Sequence, residues 1–429
     1  MTADKILNAE PKGLKVVFRS LKYRNFRLFF TGQSISLIGT WIQQIAMPWL
    51  VYDISHSVFL LGVVSFTGQI PTLLLGSFSG VLSDRWDRYH ILIVTQFLAM
   101  IQALVLSFII FNGNIQVWEI ISLSVLLGCI NAFDAPARQS LLVQMVEDKK
   151  DLSNAIALNS TMFNGARLIG PSIAGILIAT MGEGICFLIN GLSYVVVIVC
   201  LLTMKIAPRI MSKKITGFKK ELKEGFSYAF GFAPIKYIIL LLALISLTGL
   251  PYAVLMPVYA KEILHGGSHT FGFLMGASGL GALTGAIYLA SRQNVVGLER
   301  LIPKAAGIFG MGLISISISH NFYLSMVLLV IAGFGMMLGL ASCNTILQTI
   351  VDDDKRGRVM SIYTMAFMGA APFGALIAGG LATLWGVPVT LTMGGISCIL
   401  GAIIFASKLP NLYKLIRPIY LKLGVISKH

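Results

Sequence analysis

The sequence predicts an all-α polytopic membrane protein whose twelve transmembrane helices form two six-helix repeats. Of its 429 residues, 56% are hydrophobic and 12% are charged, and the mean hydropathy is +0.82. Soluble globular domains carry roughly 25% charged residues. Twelve apolar segments are each long enough to cross a bilayer, which takes about 20 residues. Matching residues recur at a constant separation in the two halves of the chain. Composition, segment length and repeat therefore agree on the fold class.

The apolar segments divide the chain into five parts. We predict a cytoplasmic amphipathic tail at 1–27, an N-terminal six-helix bundle at 28–204, a cytoplasmic linker at 205–236, a C-terminal six-helix bundle at 237–407 and a cytoplasmic tail at 408–429. The predicted crossings are 28–52, 58–82, 91–111, 117–137, 153–180, 185–204, 237–260, 271–290, 301–318, 322–346, 358–383 and 388–407. Apolar residues interleave with basic ones in the first tail, which indicates a short helix on the membrane surface; a disordered basic tail is the alternative.

The Lys and Arg residues are distributed unequally between the two sides of the predicted membrane. All but two of the 33 lie in the tails, the linker or alternate loops, the exceptions being Lys261 and Arg167. Basic residues concentrate in cytoplasmic loops, so both termini are predicted to be cytoplasmic. This distribution also accounts for the net charge of +15, and nucleic acid is therefore not expected as a partner.

The two halves repeat without a gap over their fifth crossings. Residues separated by 204 positions match in the pairs Gln144 and Gln348, Asp148 and Asp352, Gly165 and Gly369, Gly170 and Gly374, Gly175 and Gly379, and Gly182 and Gly386. Met47-Pro48 also matches Met256-Pro257, and Ser55-His56-Ser57 is matched with Ser268-His269-Thr270. Parallel repeats of this kind are typical of transporters whose substrate site lies between the halves near the midplane.

A charged stretch at 80–88 separates two apolar segments and is predicted to form a tight aqueous turn. It contains two Asp and two Arg within five residues, which cannot lie in hydrocarbon. The order Gly80, Leu82, Asp84, Arg85 and Arg88 resembles the signature loop between helices 2 and 3 of the major facilitator superfamily. The sequence departs from that loop by having Asp87 in place of a second glycine and Tyr89 in place of a basic residue.

This resemblance implies a cytoplasmic gate. Asp84 would cap the eleventh helix, while Arg85 and Arg88 would meet the acids at 352–354. A loop that only fixes topology is the alternative. The predicted gate residues are Gly80, Asp84, Arg85, Arg88, Asp352 and Arg356.

Five stretches are similar to one bacterial branch of the superfamily, the branch that holds the enterobactin exporter and macrolide efflux pumps. They are residues 25–33, 39–43, 49–53, 136–139 and 356–361. The similarity implies proton-driven export of a small amphipathic compound, siderophore or drug-like, by a monomer in the bacterial inner membrane. An importer or a lysophospholipid flippase on the same scaffold is the alternative.

Arg167 is the residue most strongly suspected of a role in transport. It lies near the middle of the fifth crossing, where a cation is costly and usually faces a cavity or a partner. Ser160, Asn164 and Arg167 share one helical face. We expect Arg167 and Asn164 to line the cavity, with Arg167 holding an anionic group of the substrate or an acidic neighbour. A static salt bridge between helices is the alternative.

Other polar residues in the crossings are weaker candidates. Asp134 and Arg138 are four residues apart on the fourth crossing, where they form either a local ion pair or a proton-titrating site. Asp53, at the outer end of the first crossing, is expected to be a solvated cap. Gln44 and Asn131 are expected to line the cavity, although such side chains also link helices by hydrogen bonds.

Small residues on the fifth crossing form a packing motif. Gly165, Gly170, Pro171 and Gly175 allow close approach of a neighbouring helix and a bend. The motif is similar to one that marks proton-coupled drug exporters, with Arg167 where those exporters usually have a small residue. Plain helix packing and a gating role both remain open.

An enzyme is not expected. The sequence has no phosphate-binding Gly-Lys-Ser loop, no pair of histidines with metal-ligand spacing and a nearby glutamate, and five scattered cysteines inside apolar segments. No cofactor or metal is therefore predicted.

Overall fold

The computed structural model describes residues 17–205, 226–292 and 294–422, without the side chains of 77–78, 80–85, 149 and 353–354. The described chain is helical almost throughout. Its α-helices are α1 (Arg24–Ser55), α2 (Val58–Arg85), α3 (Arg88–Phe111), α4 (Val117–Leu142), α5 (Lys149–Met181), α6 (Glu183–Leu202), α7 (Ala233–Leu244), α8 (Tyr252–Val258), α9 (Ser268–Ala290), α10 (Leu298–Ser317), α11 (Phe322–Ile350), α12 (Asp353–Trp385) and α13 (Val387–Lys422).

Ten stretches of the described residues are long and apolar enough to cross a membrane. One of them, Ala233–Ile263, combines α7 and α8. The long helices α1 and α10 fall outside this set. α10 begins with Glu299, Arg300 and Lys304, and glutamines are spread along α1. Apolar length alone therefore does not confirm the predicted count of twelve crossings.

The helix formed by α7 and α8 is broken where α1 is continuous. π-helical turns occupy Ile245–Gly249 and Tyr259–Ile263, on either side of the seven-residue α8. Such turns are rare and frequently mark functional sites, because one extra residue per turn disturbs the hydrogen-bond ladder. Pro251 and Pro257 lie in the same segment, and neither can donate a backbone hydrogen bond.

The predicted aqueous turn at 80–88 is much shorter than expected. α2 continues to Arg85 and α3 begins at Arg88, so only Trp86 and Asp87 lie between the helices. The Asp87 carboxylate caps α3 by accepting a hydrogen bond from the Tyr89 amide at 3.0 Å, which satisfies one of the unpaired N–H groups of the first turn.

The basic ends of the helices are held by the segment that precedes α1. In place of the predicted surface helix, Arg19–Lys22 forms a short 3-10 turn, and residues 1–16 lie outside the described part. Arg19 and Lys22 pair with the buried Asp151 of α5 at 3.0 and 2.6 Å. Hydrogen bonding to Asp151, and then to Tyr23, raises the pKa of the Lys22 ammonium.

The remaining predicted surface segments have different outcomes. The helix expected near 218–226 lies largely outside the described residues. Residues 408–422 continue α13 as a helix, with Leu412, Ile416 and Tyr420 buried.

Two helix pairs join the N-terminal helices α1–α6 to the C-terminal helices α7–α13: α2 with α12, and α5 with α9. Both contacts depend on glycine. A Cβ at Gly175 would lie 2.8 Å from the Ser268 carbonyl, and one at Gly379 would lie 3.0 Å from the Val58 carbonyl. Because a Cβ essentially never comes this close to a backbone oxygen, only glycine fits at Gly175.

We call the end at which α1, α3, α5 and α12 begin the basic end, and the other end of the helices the far end. The large apolar core joins far-end residues of α1, such as Trp49 and Tyr52, with the C-terminal helices. A separate core of N-terminal helices, including Phe26 and Leu141, lies near the basic end. The two groups of helices are thus packed together most extensively away from the basic end.

Candidate functional site

A cavity of about 650 Å³ lies between the two groups of helices. α1 lines it from Gln33 to Val51, and α4 lines it from Ser124 to Arg138. The C-terminal helices contribute at mid-depth and toward the far end, through residues such as Val254, Phe271 and Met368. Toward the basic end the lining comes from the N-terminal helices. The cavity is therefore closed at the far end and opens toward the basic end.

The far end is closed by polar and aromatic contacts across the two groups. Lys261 pairs with Asp53 at 2.8 Å, and the Tyr52 hydroxyl donates to Glu262 at 3.0 Å. The stacked rings of Trp49 and Phe271 lie below them, with centroids 6.1 Å apart. We call these contacts the far-end closure. The expectation that Asp53 is simply a solvated cap was wrong, because its carboxylate joins α1 to the segment after α8.

Asp134 is the centre of a polar cluster in the cavity wall. It is 6% exposed and accepts hydrogen bonds from the Thr95 hydroxyl at 3.0 Å and the Gln96 amide at 2.6 Å. Arg138 Nε lies 3.3 Å from its second oxygen. The local ion pair that the sequence suggested is present, and it faces the cavity. Among the described residues that line the cavity, Asp134 is the only acid.

Three predicted amide residues divide between lining and packing. Gln44 and Asn131 line the cavity and are exposed to it. Gln43 is buried instead, accepting from Asn190 at 2.6 Å and donating to Gln102 at 3.3 Å. A substrate role for Gln44 and Asn131 stays a prediction, while Gln43 links α1 to α3 and α6.

Arg167 lies beside the cavity rather than in its wall. Its guanidinium carbon is 5.8 Å from the ring centroid of Trp41, and Trp41 lines the cavity. Asn164, expected on the same face, donates to the Ser160 carbonyl of its own helix. Among the described residues, no carboxylate pairs with Arg167. The alternative of a static interhelical salt bridge therefore has no partner in that part of the chain. A cation near an aromatic face is stabilised, and more so where water is excluded.

The packing motif of α5 is only partly used. A Cβ at Gly170 would clash with Trp41, and one at Gly175 would meet the backbone of α9. The Pro171 carbonyl also lies against Gly272 of α9. At Gly165, by contrast, an added Cβ meets nothing within 4 Å. Helix packing thus explains Gly170, Pro171 and Gly175 but not Gly165.

The predicted cytoplasmic gate falls mostly beyond what can be described. The side chains of Gly80, Asp84 and Arg85 lie outside the described residues. Asp352 is 61% exposed and contacts Tyr228 and Lys355, at 3.3 and 3.6 Å.

Arg88 opens α3, and Arg356 lies in the first turn of α12. Both belong to the basic end, where the cavity opens. The gate therefore stays a prediction, to be sought in a state in which that end is closed.

Sequence reasoning missed two buried glutamines. Gln33 of α1 and Gln96 of α3 line the cavity and are 3% and 4% exposed. The signal available was a glutamine inside an otherwise apolar crossing, which is expensive unless it faces a partner or a cavity.

Comparison with known families identifies the fold. A family model for transmembrane secretion effectors of the major facilitator type, MFS_3, matches residues 16–416. The chain belongs to this family. It is a multi-pass membrane transporter of the major facilitator superfamily and not an enzyme.

Curated relatives of this transporter are efflux proteins and related transporters of bacteria. It is 28% identical to the staphyloferrin A transporter of Staphylococcus aureus, over 88% of this chain and 95% of the relative. It is 24% identical to macrolide efflux protein A of Streptococcus pyogenes (89% and 96%). Multidrug efflux pump Tap of Mycolicibacterium fortuitum is 22% identical (82% and 88%).

Solved structures support the fold of the transporter. A bacterial homologue of the iron transporter ferroportin in an inward-facing state matches with a TM-score of 0.67 and 18% identity, over 90% of this chain and 98% of that one. A bacterial homologue of the lysosomal transporter Spinster, inward-facing and unoccupied, matches with a TM-score of 0.64 and 14% identity, over 95% and 99%.

Proposed function

We propose that this transporter exports a small amphipathic compound from the bacterial cytoplasm by alternating access, in exchange for protons. The observation that carries the proposal is the cavity, which is closed at the far end and open at the basic end, with a polar wall facing an apolar one. The relatives named as efflux proteins support export as the direction. The alternative direction, import or lipid flipping, would use the same cavity.

The proposal places both termini in the cytoplasm of a monomer in the inner membrane. The concentration of Lys and Arg at the basic end supports this orientation. In that orientation, the cavity is loaded from the cytoplasm and the far-end closure faces outward.

Two six-helix repeats, at 28–204 and 237–407, make up the proposed moving parts. Three features support the repeat. α5 and α12 both have 33 residues, both end at a glycine with φ of 82°, and both begin 204 positions apart. The pair formed by α7 and α8 is then the counterpart of the single helix α1.

Asp134 is the proposed proton-exchanging group. An ionised carboxylate accepts hydrogen bonds, whereas a protonated one also donates. A substrate that offers donors to Asp134 therefore favours the ionised form and releases the proton to the cytoplasm. After substrate leaves on the other side, a proton takes its place. This mutual exclusion is what exchange requires.

Arg167 is the proposed attraction for an acidic group of the substrate. It has Trp41 beside it and no described carboxylate partner, so a positive charge borders the cavity. Replacement by alanine should reduce transport of acidic substrates by about tenfold or more, because a charge-assisted hydrogen bond contributes about 1.5–3 kcal/mol. Arg167→Lys should retain part of the activity, since it keeps the charge.

The test uses everted membrane vesicles acidified by respiration. Siderophores, macrolides and cationic dyes are added in turn, and collapse of the internal acidity is followed. Arg300→Ala is the matched control, because Arg300 also lies over an aromatic ring, that of Tyr413, but is exposed and outside the cavity. Normal transport by both Arg167→Ala and Arg167→Lys would contradict the role of Arg167. A panel without any response, confirmed by absence of labelled-substrate exchange, would contradict the export proposal itself.

A further inference from the structure

The two walls of the cavity differ in chemistry. The polar lining residues that carry amide or charged groups all belong to the N-terminal helices, among them Gln33, Gln96, Asp134 and Arg138. The C-terminal helices contribute apolar side chains such as Phe271, Met275 and Met368. A ligand that fills this space has one polar side and one apolar side.

The polar wall contains an excess of hydrogen-bond acceptors. The side-chain carbonyls of Gln33 and Gln96 are buried, and neither has a hydrogen-bond partner among the described residues. The orientation of Gln96 is determined, because its amide nitrogen donates to Asp134 at 2.6 Å. Its carbonyl oxygen therefore cannot exchange places with the nitrogen without breaking that bond.

Buried acceptors without donors are costly, and a ligand that supplies the donors recovers that cost. The basic groups nearby do not meet this need as arranged, since Arg138 is engaged with Asp134. We propose that the transported compound is an amphiphile whose polar head carries hydroxyl or N–H donors. These donors bind Gln33 and Gln96, and its apolar part lies against Phe271 and Met275.

This inference rests on the proposed function, because it takes the cavity to be the transport site, and it names the substrate class of that site. It also identifies Gln33 and Gln96 as specificity-determining residues. A site built to receive donors discriminates strongly against an analogue that lacks them, since the buried carbonyls are then left unpaired.

The test compares two probes of the same skeleton. N-octyl-2,3-dihydroxybenzamide has two phenolic donors, and N-octyl-2,3-dimethoxybenzamide has its phenolic oxygens methylated. Equilibrium binding of the tritiated compounds is measured on the purified full chain in lipid nanodiscs. The wild-type protein should bind the dihydroxy compound about tenfold more tightly, the factor expected for one buried hydrogen bond.

Variants separate donor recognition from the size of the methyl groups. In Gln33→Leu and Gln33→Met the ratio of the two affinities should fall toward one, because the acceptor is gone while the probes are unchanged. Gln348→Leu is the matched control. Gln348 is exposed on α11, outside the cavity, and bonds to Asn344, so the ratio should stay at the wild-type value.

Each other outcome overturns the inference. Equal affinities in the wild-type protein, or a ratio unchanged in both Gln33 variants, would show that these carbonyls do not select donors. Binding of neither probe would show that the cavity does not take amphiphiles of this class. Because binding is measured without a gradient, these results are independent of the vesicle experiment, whose failure would count against proton-coupled export.

Discussion

Replacing Gly175 with leucine should shift the transporter away from the state described here. A Cβ at this position would lie 2.8 Å from the Ser268 carbonyl and 2.9 Å from Gly272 Cα, and neither backbone atom can move alone. Overpacking of this kind costs about 1–3 kcal/mol, which corresponds to about a 5- to 150-fold change in the ratio of two conformations. Because the clash is at the far end of the α5–α9 contact, the state with that end closed loses population.

The shift can be measured as a distance between spin labels at the far end. Asn112→Cys, between α3 and α4, and His320→Cys, between α10 and α11, are introduced after the native cysteines have been replaced. The distance should lengthen in Gly175→Leu. Gly165→Leu, the same substitution on the same helix, should leave it unchanged, because nothing lies within 4 Å of a Cβ there. Equal distances in all three proteins would show that the glycine contact does not control the closure.

Replacing Asp134 with asparagine should abolish substrate-driven proton movement while leaving substrate binding and exchange. Asparagine keeps the shape of the side chain, and its oxygen can still accept from Thr95 and Gln96. It cannot ionise, and among the described residues lining the cavity no other acid is present to replace it. The gradient therefore loses its point of entry into the cycle.

The measurement combines two assays on the same vesicles. Collapse of internal acidity on adding substrate should disappear in Asp134→Asn, while exchange of labelled for unlabelled substrate continues. Asp151→Asn is the matched control, since Asp151 is equally buried but pairs with Arg19 and Lys22 outside the cavity. Persistence of proton movement in Asp134→Asn would place the exchanging group elsewhere.

The helices and their order were predictable because apolar length and charge are local properties of the sequence. Exact ends were less so. The turn at 80–88 was expected to be long because its charges are dense, yet α2 continues to Arg85 and Asp87 caps α3. A capping carboxylate decides where a helix starts, and several Asp residues were available.

One repeat pairing was wrong for a conformational reason. The sequence matched His56 with His269, but the two described non-glycine residues with positive φ are His56, at 49°, and His265, at 50°. They are 209 positions apart, the same separation as Met47-Pro48 and Met256-Pro257. A left-handed residue after the helix identifies the equivalent turn, and residue type alone did not.

The site was predictable only in part. The cost of burying a cation or carboxylate in a crossing directed attention to Arg167 and Asp134. Which aromatic ring lies beside Arg167, and that Lys261 meets Asp53, depend on tertiary packing between residues far apart in the chain. Local patterns contain no information about such pairs.

The π-helical turns bear on how quickly substrate can leave. Lys261 lies in the turn Tyr259–Ile263, beyond an earlier π turn at Ile245–Gly249, whereas its partner Asp53 ends the unbroken helix α1. A helix interrupted twice bends more easily than a continuous one. We expect the segment carrying Lys261 to reorient by itself, without rotation of all the C-terminal helices. The lifetime of the occluded complex would then be governed by the dissociation of one ion pair and one hydrogen bond, and not by the slower rearrangement of the whole molecule.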